Sequence, residues 1–441
     1  MGVVNTITAG SPMNPFTHPI LRTTVLTVCV SIMPQLFFKN GFLLAYFLEL
    51  GLNSADVLIL LSLPSLIMLI LLVPFAYYAD LYGKKRIGQM GIFLTITGFG
   101  LITAAGLFDT QVAARYITSG ILLFSIGLSA LFSGWFALLT PLIPKEIRGR
   151  FFGTMRVSWQ IFAICCSFIL TYILEKSSDI TTYQAILIFF TSLLVLQFRL
   201  YTSIPEKHKK PASRQPLLSI IGSISDLPGY MPFCAYCFLL MLATGAWPAT
   251  LGLLEKNVLA FSDDAIVHMG TMLFAGAMLG FFLGGRSVDR YGTKNVFLMV
   301  HFLYFVLLSL VLFRDAVPAS HLVYYSIITF GLGAVQAGST IAITSEMISL
   351  APPENTSVVT SLCMSLQWGG AALSGLLSGK LIQYGILAET WQLNGLTMSR
   401  YDSLILFYAV LVLVFTTALG LIPSVVKRRR GFRDGDSAKT V

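Results

Sequence analysis

Apolar stretches of about twenty residues recur from one end of the chain to the other, and they constrain the fold more than any other feature. As an α-helix, each such stretch spans about 30 Å, the hydrocarbon thickness of a bilayer. Twelve can be placed: Leu21–Leu50, Val57–Tyr77, Ile87–Phe108, Arg115–Ile143, Thr154–Leu174, Tyr183–Leu200, Met231–Leu254, His268–Gly285, Val296–Phe313, Leu322–Ile348, Val358–Ile382 and Ser403–Val425. Porin-like strands are excluded, because they alternate polar and apolar residues and carry no continuous apolar run. A soluble chain of 441 residues could not cover its surface with 11% charged residues. The expected fold is an all-α polytopic membrane protein with twelve transmembrane helices.

A short charged turn occurs twice. Asp80–Leu81–Tyr82–Gly83–Lys84–Lys85 joins the second and third stretches, and Asp289–Arg290–Tyr291–Gly292–Thr293–Lys294 joins the eighth and ninth. Two copies, each between a pair of membrane-length segments, point to an internal duplication. Residues 1–200 and 231–425 form the expected six-helix halves. Residues 201–230 form a Pro- and Lys-rich linker in which Leu217–Ile224 is a possible short interfacial helix. Residues 426–441 form a basic tail.

Twelve spans put both termini on one side. Of the 29 Lys and Arg residues, 22 fall on that side, six on the other, and Lys39 lies within the first stretch. The positive-inside bias therefore places both termini in the cytoplasm. The net charge of +9 is explained by this bias, with anionic lipid as the partner of the basic loops and tail and no nucleic acid required. The six cysteines lie in apolar stretches, and Cys234–Ala–Tyr–Cys237 has no histidine or second pair nearby. They read as buried thiols rather than a metal or redox site.

With these turns in place, the chain resembles the major facilitator superfamily. Members carry a loop of the form Gly-x-Leu-Ala-Asp-Arg-x-Gly-Arg-Lys between helices 2 and 3, and a weaker copy between helices 8 and 9. Here the copies run from Ala76 to Lys85 and from Gly285 to Lys294, each keeping the Asp, the central Gly and the closing Lys. Pro144–Gly153 is similar to the usual loop after helix 4. The resemblance implies two six-helix halves, a multi-pass monomer in a bacterial inner membrane, and a conformational latch at Asp80, Gly83, Lys84, Arg148, Asp289, Arg290 and Gly292. Drug and proton antiporters of the superfamily carry a Gly/Pro-rich pattern in helix 5, and Thr154–Leu174 contains neither residue.

Lys39 is the sharpest signal from the residues themselves. It lies too deep in apolar sequence to reach either surface easily, so it must face a partner or a wet cavity. Ser31, Gln35, Lys39 and Tyr46 fall near one face of a continuous helix. A substrate-facing lysine is one reading, and a structural pair with Glu49 or Glu346 is the other. Asn40 adjoins it. Trp247–Pro248 interrupts the seventh span, which frees backbone groups for binding. Gln336 and Thr340 in the tenth span, with Gln367 and Trp368 in the eleventh, complete the expected substrate-binding set. Glu49, Arg115, Glu255 and Glu346 are the candidates for ion coupling.

No Walker loop, zinc cluster or nucleophile constellation occurs in the polar segments, so no enzyme activity, metal or cofactor is expected. The leading expectation is a secondary transporter of a small polar or anionic organic solute, by symport or facilitated diffusion. The alternatives are an exporter of drugs or metabolites and a non-transporting sensor or assembly component.

Overall fold

The structure is a computed structural model, and it describes residues 19–143, 148–206, 217–350, 356–393 and 395–421. Residues 207–216 of the linker and the basic tail lie outside the described residues, as does the side chain of Arg148. The chain forms α1 (Pro19–Leu36), α2 (Phe42–Glu49), α3 (Ser54–Tyr82), α4 (Lys84–Ala104), α5 (Thr110–Leu139), α6 (Arg148–Lys176) and α7 (Ile180–Ser203). These are followed by α8 (Leu217–Ser225), α9 (Tyr230–Thr244), α10 (Trp247–Asn257), α11 (Asp263–Tyr291), α12 (Thr293–Val311), α13 (His321–Leu350) and α14 (Thr356–Gln383). A hairpin of β1 (Thr390–Leu393) and β2 (Leu396–Ser399) leads into α15 (Arg400–Leu421). Helix is the expected outcome for such sequence, because in hydrocarbon every backbone N–H and C=O must be paired within its own segment.

Ten helical stretches among the described residues are long and apolar enough to cross a membrane, with α9 and α10 together forming one of them. Helix α14 is not among the ten, against an expectation of twelve spans, and α15 is not counted because the side chains of residues 416–421 lie outside the described residues. The α14 sequence is rich in Ser and Gly and packs between α3 and α9, where contact with protein rather than lipid tolerates a less apolar surface. The first expected span is also not one helix: it breaks between Leu36 and Phe42. The short helix expected near Leu217 is present as α8.

Polar side chains start several helices. Asn53 Oδ1 accepts from the Asp56 N–H at 2.9 Å, and Asp179 Oδ1 from the Thr182 N–H at 3.2 Å, each satisfying an orphan donor of a first turn. The repeated turns share one backbone solution. Gly83 has φ 104° and ψ 129°, and Gly292 has φ 75° and ψ 160°. This region is essentially restricted to glycine, and it lets one helix end and the next begin on a single residue.

Helix α1 packs on α6 and α7, α4 on α5 and α7, α12 on α13 and α15, while α3 runs along α14 and α6 along α11. Two contacts are especially close. A methyl group on Gly98 would overlap the Phe124 backbone of α5, and one on Gly276 would overlap the Phe330 carbonyl of α13. Such small-residue seams bring helix backbones together where lipid offers no hydrophobic drive. Outward, Phe168, Ile169, Ile188, Phe302 and Ile327 are exposed, as a lipid-facing surface requires.

The end of the bundle carrying the hairpin is held by a buried ion pair. Arg314 donates to Asp402 through Nη1 at 2.5 Å and Nη2 at 3.0 Å, and Asp402 Oδ2 also accepts from Ser399 N and Oγ, each at 2.7 Å. The chain segment after α12 is thereby fixed to the junction of β2 and α15.

Candidate functional site

Two helices break inside the bundle. In the first, the Leu36 carbonyl accepts from both Lys39 N (2.8 Å) and Asn40 N (2.9 Å), and Gly41 turns the chain with φ 83°. Asn40 Oδ1 then accepts from Phe42 N at 3.2 Å and starts α2. In the second, Ser374 Oγ accepts from Ala246 N at 3.1 Å, and Pro248 sits in the first turn of α10, where its missing N–H costs nothing. The first break removes the expected helix face. Tyr46 is in the core with its hydroxyl on the Ile102 carbonyl at 3.2 Å. Ser31 bonds the Val28 carbonyl at 3.1 Å, and Gln35 bonds the Ser31 carbonyl at 3.3 Å.

Lys39 therefore sits in a turn rather than on a helix. Its side chain is exposed, yet it lines a cavity with residues of α10 and α11 and lies beside α14, so it faces a space inside the bundle. Its ammonium lies 5.4 Å from the centre of the Trp368 ring on α14, within cation–π range. Among the described residues it forms no ion pair. Glu49 is exposed, and Glu346 accepts from Thr293 Oγ1 at 2.6 Å, where α12 begins. Neither is the structural partner that the sequence left open.

A cavity of about 20 Å³, room for roughly one water, is lined by Lys39, Asn40, Trp247, Glu255 and Thr329. Four buried polar atoms of its lining residues have no hydrogen-bond partner among the described residues: Asn40 Nδ2, Trp247 Nε1, Glu255 Oε1 and Thr329 Oγ1. The Trp247 indole lies beside the Tyr304 hydroxyl. The structure thus brings Lys39, Asn40, Trp247 and Glu255 together, with Trp368 close to Lys39. Gln35, Gln336, Thr340 and Gln367 do not line this cavity. Thr340 is exposed and bonds the Gln336 carbonyl at 2.9 Å, and Gln367 bonds the Cys363 carbonyl at 3.5 Å. Arg115 is exposed at the hairpin end. Trp135 is buried against Tyr201.

The hairpin end is closed. Tyr183 of α7 donates to Asp263 of α11 at 2.7 Å, and Lys256 pairs with the same carboxylate. Tyr401 of α15 donates to Ser54 of α3 at 2.9 Å and accepts from Asn257 at 3.1 Å. Gly270 of α11 touches the backbone of Asn40, where a methyl group would collide. At the opposite end Thr340 and Ser345 of α13 are exposed. At this end Asp80 pairs with Lys84 at 3.2 Å. Glu206 accepts from Lys84 N at 2.8 Å and Lys85 N at 3.4 Å, at the start of α4. Asp289 is exposed and forms no ion pair among the described residues, and Arg290 lies over Tyr291 at 5.3 Å.

Sequence reasoning missed Thr329, Asp263, Tyr183 and Glu206. Thr329 lies seven residues before Gln336, on the same helix face, and that spacing was the available signal. Asp263 reads as an ordinary first-turn acid, and Tyr183 as one aromatic among many.

The family model of the Major Facilitator Superfamily matches residues 25–375. The chain belongs to the major facilitator superfamily. Solved members share its fold at low identity. The nucleoside transporter NupG is 15% identical, with a TM-score of 0.65 over 92% of this chain and 98% of its own. A D-xylose–proton symporter is 12% identical, with a TM-score of 0.68 over 92% and 98%. A POT family transporter in complex with 5-aminolevulinic acid is 13% identical, with a TM-score of 0.69 over 91% and 96%. No curated protein sequence matches. As a superfamily member the protein is a multi-pass secondary transporter that works by alternating access, and it is not an enzyme.

Proposed function

We propose that this transporter moves a small organic solute bearing an anionic group, and that Lys39 holds that group. One observation carries the reading: an ammonium inside the bundle, reachable by water, with an aromatic ring beside it and no carboxylate partner among the described residues. An unpaired charge at such depth is costly and is kept where it binds something. Trp368 supplies a flat apolar wall. Gln336, Thr340 and Gln367 are further contacts for a solute larger than the cavity at Asn40 and Trp247. The repeated turns with Arg148 act as the latch of the opposite end. The two halves, 1–200 and 231–425, rock about this centre in a twelve-span monomer.

Uptake into proteoliposomes tests the solute class. Carboxylate-bearing solutes, with 5-aminolevulinic acid as the first probe because a structural neighbour holds it, are expected to enter faster than D-xylose or a neutral nucleoside. Preferential uptake of either neutral solute would overturn the anion reading.

The charged-turn end faces the cytoplasm in this proposal, on the strength of the 22-to-6 division of Lys and Arg. The closed hairpin end then makes the described state inward-facing. A cysteine at Ser213 should react with an impermeant maleimide only from the cytoplasmic side, and one at Ser178 only from outside. Labelling of both from the same side would remove the twelve-span topology.

A further inference from the structure

We propose that Glu255 is the proton site of this transporter, and that it is coupled to the solute through competition for Lys39. The proposal rests on the reading of Lys39 as the solute's anchor and adds the coupling ion.

Glu255 occupies the last turn of α10, is 2% exposed, and shares its cavity with Lys39. Its carboxyl forms no ion pair or hydrogen bond among the described residues, and Oε1 is sealed from water. A carboxylate cannot persist in such a place without a cation or donors. A neutral acid can, and the cavity leaves room for one water as a path for the proton.

The charged and titratable groups around α10 are otherwise engaged. Beside it, Lys256 and Asp263 hold each other and Tyr183. On α15, Asp402 is taken by Arg314, Tyr408 by Thr250 and Ser378, and Tyr401 by Ser54 and Asn257. Arg400 faces Glu389. On α13, Tyr325 donates to the Val311 carbonyl. On α11, His268 lies near Asp264; on α3, Asp56 is bonded to Asn53; on α12, Tyr304 adjoins Trp247. Glu49 of α2 is exposed. Among the described residues Lys39 is the one cation lining the cavity, and it sits on the turn between α1 and α2.

The cycle follows from this arrangement. In the described arrangement the two form no ion pair and Glu255 holds its proton; when that proton leaves, Lys39 turns to pair with the Glu255 carboxylate. A solute anion that takes Lys39 leaves that carboxylate unpaired, so it accepts one proton from water. When the solute leaves on the other side, Lys39 returns and the proton is released there. One proton thus accompanies one anionic group, and for a monoanion the step moves no net charge.

The test has two arms. In the first, purified transporter is titrated with acid under infrared detection, with no solute present. A carbonyl stretch of a buried protonated carboxyl is expected in the wild type, retained in Glu49→Gln and lost in Glu255→Gln. Its survival in Glu255→Gln would overturn the proposal. Melting temperatures of both variants report whether they are folded. In the second arm, proteoliposomes take up 5-aminolevulinic acid under an imposed pH gradient. Stimulation by the gradient is expected in the wild type and lost in Glu255→Gln, and its persistence in that variant would also overturn the proposal. A wild type that does not move this probe counts against the solute reading alone, since the infrared arm still decides Glu255.

Discussion

Lys39→Ala is expected to raise the dissociation constant for a transported anionic solute about 10- to 150-fold, because a hydrogen bond to a charged group contributes roughly 1.5–3 kcal/mol. The loss should appear in binding, measured by calorimetry on purified protein. The melting temperature without solute should change little, since Lys39 forms no ion pair among the described residues and Glu255 can stay protonated when the lysine is removed. Lys39→Arg is expected to be impaired as well. The Trp368 ring at 5.4 Å and the tight turn at Asn40–Gly41 suit a compact ammonium better than a broad planar guanidinium. Unchanged affinity together with a large loss of stability would make Lys39 structural and remove the anion preference.

The second large effect concerns stability alone. Asp402→Ala is expected to destabilise the fold by about 3–5 kcal/mol, the range for stripping one partner from a buried ion pair. Asp402 is fully buried and Arg314 nearly so. The variant leaves the guanidinium with only the exposed Asp315 carboxylate, 3.9 Å from Nε, and also deletes the acceptor of Ser399 N and Oγ. Replacing both partners with apolar residues, Arg314→Met with Asp402→Leu, should recover much of the loss, because no unpaired charge is left behind. Chemical denaturation in detergent measures both. A single variant within about 1 kcal/mol of wild type would mean that water reaches the pair, since exposed ion pairs contribute no more than that.

The fold was legible because hydrocarbon leaves a helix as the only open-ended way to pair a backbone, so apolar length translates directly into helix. The breaks were legible unevenly. Trp247–Pro248 announces itself because proline cannot continue a helix from within. The α1–α2 break rests on Lys39–Asn40–Gly41, three residues inside a long apolar run, and length alone reads through them. The resulting error was local but consequential, since it assigned Ser31, Gln35 and Tyr46 to a face that does not exist. The hairpin was signalled by Asn394–Gly395 between Leu393 and Leu396, a strong turn pair, yet it lay in a polar stretch with no apolar alternation to draw notice. Glu255 looked peripheral because its distance along the chain placed it near a span end. Its burial arises from α10 restarting at Trp247 and turning inward against α2 and α11, which linear position does not encode.

The glycine seams have a mechanical consequence. Where α4 meets α5 and α11 meets α13, backbone lies against backbone, and each pair behaves as a single stiff beam. A beam so joined cannot relieve bending stress along its length. The stress therefore gathers where a helix is already interrupted, at Phe37–Gly41 and at Gly245–Ala246, and the turn or helix adjoining each supplies a wall of the cavity. Load and chemistry then meet in the same handful of residues. A solute that stiffens or re-angles either interruption acts at the fulcrum of the machine, and needs no long relay to reach its ends.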